Sequence, residues 1–125
     1  MPREVRDLTR SLFEEIEPGR IAYHLHDTRG TAVANVAEAL ELGVRCFDSS
    51  AGGLGGCPYA PGAGGNLATE DLVYFLDRSG IETGVSLEPL AMASLPIFDL
   101  LGRPPQSKAQ IAALSLAGPS QAGTE

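Results

Sequence analysis

Apolar positions along the chain alternate between helical spacing and short runs typical of strands. Over residues 2–16 the apolar side chains recur every three or four positions, which is the spacing of an amphipathic helix. Further along the chain, strands and helices are predicted in alternation. The predicted strands lie over 21–26, 44–48 and 82–85, and the predicted helices over 31–42, 69–79 and 87–101. This alternation predicts parallel strands joined by crossover helices.

Local signals refine these boundaries. Thr69 is predicted to cap its helix and Gly80 to end it. Pro96 lies inside the last predicted helix, where it removes a backbone hydrogen bond and predicts a kink or a break. We therefore predict one α/β domain over 1–102, followed by a tail over 103–125 that is partly disordered or forms a short helix.

The length limits the architecture. The chain has 125 residues, whereas a complete (β/α)₈ barrel takes roughly 250. Three predicted strands with their helices correspond to about three βα units, and three strands cannot close a barrel.

Composition and charge narrow the classes of partner. The formal net charge is −7, which argues against nucleic acid and anionic membranes as partners. No apolar run is long enough for a membrane span, and the N-terminal segment lacks the apolar core of a signal peptide. Cys46 and Cys57 are too few for a disulfide scaffold and suit a reducing, cytoplasmic location.

The sharpest local signal is His24-Leu25-His26, which contains both histidines of the chain. Side chains two residues apart on a strand project from the same face, so the two imidazoles could bind one metal ion. The alternative is a pair of hydrogen-bonded histidines without a ligand, to which we give equal weight from the motif alone. Their place at the end of a predicted strand favours the site, because barrel active sites lie there.

A glycine-rich loop is the second signal. Seven of the fifteen residues over 51–65 are glycine and two are proline, which predicts an irregular loop whose backbone can approach a ligand closely. Cys57 offers a thiol and Asn66 a carbonyl oxygen. The simpler reading makes Asn66 a turn or cap residue and Cys57 a small loop residue.

The residues suggest two other kinds of ligand site. A nucleotide-phosphate loop fits poorly, because neither the GxxxxGK[ST] pattern nor the dinucleotide glycine spacing is present. Zinc held by both histidines and both cysteines is chemically reasonable. However, Cys46 lies within a predicted strand, where core packing is the simpler expectation.

Two stretches, HLHDTRGTAVANV and FDSSAGGLGGCPYAPGAGGNLATEDLVYFL, resemble the second half of 3-hydroxy-3-methylglutaryl-CoA (HMG-CoA) lyase. The similarity extends approximately over 2–101. The loop containing Cys57-Pro58-Tyr59 is the specific part, since the HxH motif is shared with isopropylmalate and homocitrate synthases. The resemblance implies the C-terminal part of a TIM (β/α)₈ barrel.

The resemblance also implies roles for individual residues. His24, His26 and Asn66 would be ligands of Mg²⁺ or Mn²⁺, Cys57 the catalytic thiol on a mobile loop, and Asp48 a residue that lines the barrel nearby. The implied reaction is cleavage of HMG-CoA to acetyl-CoA and acetoacetate, a step of leucine degradation and ketone-body metabolism. His24 would accept or relay the proton of the substrate hydroxyl, and Cys57 would help protonate the enolate product. The residues that contact CoA stay unassigned.

In the family, a metal-binding Asp and a neighbouring catalytic Arg come from the first barrel strand, which precedes the matching stretch. We therefore expect activity to need a complementing N-terminal half, from a partner chain or a longer parent sequence. Two alternatives stay open. The chain could be a non-catalytic half barrel that forms homo-oligomers or aggregates through its strand edges, or a related aldolase or acyl-CoA-dependent synthase.

Overall fold

The helices and strands follow the predicted alternation. A computed structural model describes residues 1–56 and 65–117. Its helices are α1 (Pro2–Phe13), α2 (Ala32–Glu41), α3 (Thr69–Arg78), α4 (Leu87–Ala93), α5 (Leu95–Leu101) and α6 (Lys108–Ala117), and its strands are β1 (Ala22–His24) and β2 (Cys46–Asp48). Short 3₁₀ turns occur at Pro18–Arg20 and Ala51–Gly53.

The two strands pair in parallel, as the alternation predicts. Ala22 lies opposite Cys46, Tyr23 opposite Phe47, and His24 opposite Asp48. Helix α2 connects the strands and so forms the crossover that a parallel pair requires. The carboxyl ends of both strands therefore lie at the same edge of the sheet.

The third predicted strand, over 82–85, is wrong. Gly84 has a φ of 73°, outside the range of extended chain. The Thr83 hydroxyl accepts the N–H of Val85 at 3.1 Å, which closes a local turn. The segment is largely exposed, so its alternating side chains meet no core that would favour a strand.

The core lies on one side of the sheet, between α2, α3 and the segment after the glycine-rich loop. Its buried members are Ala32, Val36, Leu67, Leu72 and Leu76. Phe47 of β2 and Leu25 after β1 pack against this cluster. Because side chains alternate along a strand, His24 and Asp48 face away from the side on which Phe47 packs, and both are exposed.

Helix α1 is held to its neighbours by polar contacts. The Arg6 guanidinium donates from Nε and Nη2 to the two carboxylate oxygens of Glu38 on α2, at 2.5 and 2.8 Å. Thr9 is fully buried, and its hydroxyl hydrogen-bonds with the Tyr23 hydroxyl at 2.5 Å. The contacts join α1 to both α2 and β1.

The helix ends agree with the sequence in part. A break near Pro96 is confirmed: α4 ends before Ser94, and Pro96 lies in the first turn of α5, where a missing N–H costs no intrahelical bond. The cap of α3 is Ala68, not Thr69, because the Thr69 hydroxyl hydrogen-bonds instead with that of Ser49 at 2.9 Å.

Among the described residues, no helix has the length and apolar character to cross a membrane.

Candidate metal centre

The two histidines meet at the carboxyl end of β1. His24 is the last residue of the strand, and His26 follows two positions later. Their Nε2 atoms are 3.1 Å apart. The rings stand edge to face, with centroids 5.0 Å apart and an interplanar angle of 72°.

This spacing suits two ligands of one cation. Adjacent ligands of an octahedral ion, each about 2.1 Å from the metal, lie about 3.0 Å apart. Both imidazole nitrogens therefore occupy positions compatible with neighbouring coordination sites. Among residues 1–56 and 65–117, no group of three or more His, Cys, Asp or Glu side chains could hold a metal ion, so a site here needs ligands of other types.

Asn66 supplies one such ligand type beside the histidines. It forms an antiparallel backbone bridge with His26, and the flanking backbone bonds, Leu67 N–H to Leu25 O at 2.9 Å and Asp27 N–H to Gly65 O at 3.1 Å, fix this register. Its Nδ2 donates to Leu54 O at 3.1 Å, which leaves Oδ1 as the amide atom available to a cation. The structure thus brings all three predicted metal ligands to one edge of the sheet.

Asp27 holds the segment that carries His26. Its backbone N–H donates to the carbonyl oxygen of Gly65, and its carboxylate accepts the N–H of Ala32, in the first turn of α2, at 2.7 Å. The chain between β1 and α2 is therefore fixed to the loop on one side and to a helix N-terminus on the other.

Asp48 contacts His24 directly across the sheet. The register places the two residues opposite each other, and His24 Nδ1 lies 2.5 Å from Asp48 Oδ1. The family resemblance implies only that Asp48 lines the barrel near the site. The missing information was the strand register, which makes residues 24 positions apart direct neighbours.

The start of the glycine-rich loop is anchored by a buried carboxylate. Glu70 is fully buried and accepts the N–H of Gly52 at 2.7 Å and the hydroxyl of Ser94 at 3.4 Å. Gln110 of α6 donates to the same Ser94 oxygen at 2.6 Å. The position of Glu70 in the first turn of α3 by itself indicates only a favourable interaction with the helix dipole. The buried network shows that α3, α4 and α6 together hold the loop where it leaves β2.

The structure tests the prediction for one of the two cysteines. Cys46 is exposed, so the expectation that it packs in the core is wrong. The alternation along β2 places it on the face of Asp48, opposite the buried side of Phe47. Cys57 lies outside the described residues, so its role as catalytic thiol stays a prediction.

A family model described as HMGL-like matches residues 1–96. The chain belongs to the HMGL-like family. Among curated relatives, it is 50% identical to the hydroxymethylglutaryl-CoA lyase YngG of Bacillus subtilis over 107 residues, which cover 86% of this chain and 36% of that protein. This member of the family thus spans about a third of the length of the lyases that it matches.

Solved structures of HMGL-like proteins agree with the chain's fold. The hydroxymethylglutaryl-CoA lyase of Pseudomonas aeruginosa superposes with a TM-score of 0.88 at 42% identity, covering 93% of this chain and 39% of the lyase. An HMG-CoA lyase of Acinetobacter baumannii, solved with coenzyme A and 3-methylmalate, covers all of this chain and 39% of its own, with a TM-score of 0.81 at 38% identity.

Proposed function

We propose that this chain is the metal-binding part of a carbon–carbon lyase that cleaves HMG-CoA to acetyl-CoA and acetoacetate. The observation that supports it most directly is the convergence of His24 and His26, with Nε2 atoms 3.1 Å apart, beside the backbone-paired Asn66. Relatives at about 50% identity carry the lyase name, and the resemblance of the HLHD and glycine-rich stretches to that family implies a divalent metal.

The donor set is compatible with Mg²⁺ or Mn²⁺, the cations that the family resemblance implies. Two imidazole nitrogens and an amide oxygen would hold the ion, with positions left for water and substrate oxygens. A divalent cation bound there would supply Lewis-acid polarisation of the substrate hydroxyl. Because these three ligands carry no negative charge, we expect weak binding until a carboxylate completes the site.

The chain's own residues would then orient the substrate and move protons. His24 stands at the strand end, where the substrate hydroxyl would approach the cation, and would accept or relay its proton. Cys57 would help to protonate the enolate of acetyl-CoA, as the family resemblance implies. The acyl-CoA substrate class is supported by the coenzyme A complex of the A. baumannii lyase.

We further propose that the chain forms the C-terminal part of a TIM barrel and needs the preceding strands for activity. The described residues contain two strands, and the relatives are about three times longer than the matched part. A complementing segment would contribute the acidic metal ligand and the catalytic Arg of the family.

The test is a calorimetric titration of Mn²⁺ into the purified chain, followed by an acetoacetate-release assay. The wild-type chain is compared with His24→Ala, His26→Ala and the surface control Glu15→Ala. The release assay is run alone and with the part of the B. subtilis lyase that this chain does not match.

We expect measurable Mn²⁺ binding in the wild type and in Glu15→Ala, and its loss in both histidine variants. Acetoacetate release should require the complementing segment. Wild-type binding that survives both histidine substitutions would contradict the metal site, and a well-folded complex without release would contradict the lyase reaction.

A non-catalytic half barrel is the second candidate. It is favoured by the exposure of His24, Asp48 and Cys46 on one face of a two-stranded sheet, a face that a closed barrel would cover. Condensation of acetyl-CoA with an oxo acid, without lyase activity, would instead identify a related synthase.

A further inference from the structure

We propose that Asp48 is a positioning residue that fixes the tautomer and orientation of His24 and so directs Nε2 of that ring to the cation. The inference rests on the proposed metal site and adds to it a residue that is not itself a ligand. It is carried by the contact between His24 Nδ1 and Asp48 Oδ1, at 2.5 Å.

The contact follows from the backbone. His24 and Asp48 occupy opposite positions of a parallel strand pair, and directly paired residues on one face are close enough for short side chains to touch. The pairing of Tyr23 with Phe47 on the other face, with ring centroids 6.4 Å apart, holds the same register. Asp48 is therefore placed by the sheet and does not depend on the glycine-rich loop.

The chemistry assigns the two ring nitrogens. An ionised carboxylate only accepts hydrogen bonds, so the hydrogen between the pair lies on Nδ1 of His24. In the neutral ring, Nε2 then carries the lone pair, and Nε2 is the atom that faces His26. A carboxylate or carbonyl that accepts the second N–H of a metal-binding histidine has this effect in many metal sites, where it fixes the ring and raises its basicity.

This assignment also constrains the catalytic role of His24. With Nε2 directed to the cation and Nδ1 bonded to Asp48, each nitrogen of the ring has a defined partner. While His24 coordinates through Nε2, the ring has no free nitrogen, so it could accept the substrate proton only at Nε2 after that atom leaves the cation.

The tautomer can be measured without any metal. Long-range ¹H–¹⁵N correlation spectra of the chain with ¹⁵N-labelled histidine, in alkaline buffer, distinguish a protonated from an unprotonated ring nitrogen. The chain has two histidines, so His26→Ala assigns the signals of His24. The variants are Asp48→Ala, Asp48→Asn, which keeps an acceptor oxygen, and Asp77→Ala, which removes one negative charge from exposed α3 surface.

We expect the Nδ1–H tautomer of His24 in the wild type, in Asp48→Asn and in Asp77→Ala, and a shift towards Nε2–H in Asp48→Ala. Mn²⁺ affinity, measured on the same samples, should fall about 10-fold to 100-fold in Asp48→Ala and remain close to wild type in Asp77→Ala. An Nε2–H tautomer in the wild type, or a tautomer unchanged in Asp48→Ala, would overturn the proposal.

The two measurements separate this inference from the proposed function. A wild-type chain that shows the Asp48-dependent tautomer but binds no Mn²⁺ would support the positioning contact and count against the metal site. Mn²⁺ binding that is lost in the histidine variants but equal in wild type and Asp48→Ala would support the site and reject the role of Asp48.

Discussion

At the scale of single residues, Gly52 is a position where a side chain would meet both backbone strain and a steric clash. Its φ is 60°, a left-handed conformation that costs other residues energy. A side-chain carbon there would overlap the Phe98 ring and lie 3.2 Å from Gln110 Oε1. Its N–H also donates to the buried Glu70. The start of the glycine-rich loop therefore depends on a residue without a side chain.

Gly52→Ala should destabilise the fold by about 3 kcal/mol, since a left-handed alanine costs about 1 kcal/mol and overpacking a well-filled core typically adds about 1–3 kcal/mol. Urea denaturation monitored by circular dichroism measures the change. The matched control is Gly19→Ala, where the added carbon meets open space and φ is not positive, and we expect a change within about 0.5 kcal/mol. Equal stability of the two variants would contradict the packing described for Gly52.

The sequence predicts some site residues and not others for a physical reason. Because His24 and His26 are two residues apart, their side chains are predicted to lie on the same face of a strand. The described structure brings them together. Asn66 was predicted from resemblance, and only the backbone bridge explains its proximity. Asp48 and Glu70 act through contacts with residues far away in sequence, and such contacts are not visible in local periodicity.

At the scale of elements, one ion pair contributes to the attachment of α1 to α2. Glu38 accepts two hydrogen bonds from Arg6, and this contact lowers the pKa of the Glu38 carboxyl below its usual value of 4.5. A carboxyl whose pKa is lower in the folded state stabilises the fold above its unfolded pKa, and the contribution is lost as the pH falls through the lower, folded pKa.

Arg6→Gln should therefore lower the melting temperature most above pH 4.5, and the difference from wild type should shrink as the pH falls further. Thermal melts at a series of pH values measure it. Arg3→Gln is the control, because Arg3 is exposed and lies 3.9 Å from Asp7, and it should change the melting temperature little at any pH. A constant difference between Arg6→Gln and wild type at all pH values would show that the pair does not titrate as described.

Element types were predictable where a pattern extends over many residues. Helices α1, α2 and α3 follow from their periodicity, and the break between α4 and α5 from Pro96. The error at 82–85 arose because a short apolar segment carries little information, and the positive φ of Gly84 favours a turn when no adjacent strand is paired with it.

At the scale of the whole molecule, residues 1–56 and 65–117 cover the sheet on the side of the core cluster and leave Cys46 exposed on the other. Phe47 packs against the core cluster, while Cys46, on the other face, is exposed. If this chain completes a barrel with the segment that its relatives also contain, that second face becomes the interior. Barrel interiors are filled by layers of side chains, so complementation should bury Cys46.

The thiol of Cys46 reports this burial directly. In a Cys57→Ser background, Cys46 is the remaining thiol of the chain, and a disulfide reagent such as DTNB should modify it rapidly in the isolated protein. Adding the non-matching part of the B. subtilis lyase should slow the reaction about 10-fold or more, while Glu15→Ala in the same background should behave identically. If sedimentation shows a stable complex and the thiol reacts at its original rate, the added segment does not cover this face, and the chain does not complete a barrel in the way proposed. If instead the Cys46 thiol of the isolated protein reacts more slowly as the protein concentration is raised, copies of the chain cover this face themselves. That result would favour the oligomeric half barrel over a complementing partner.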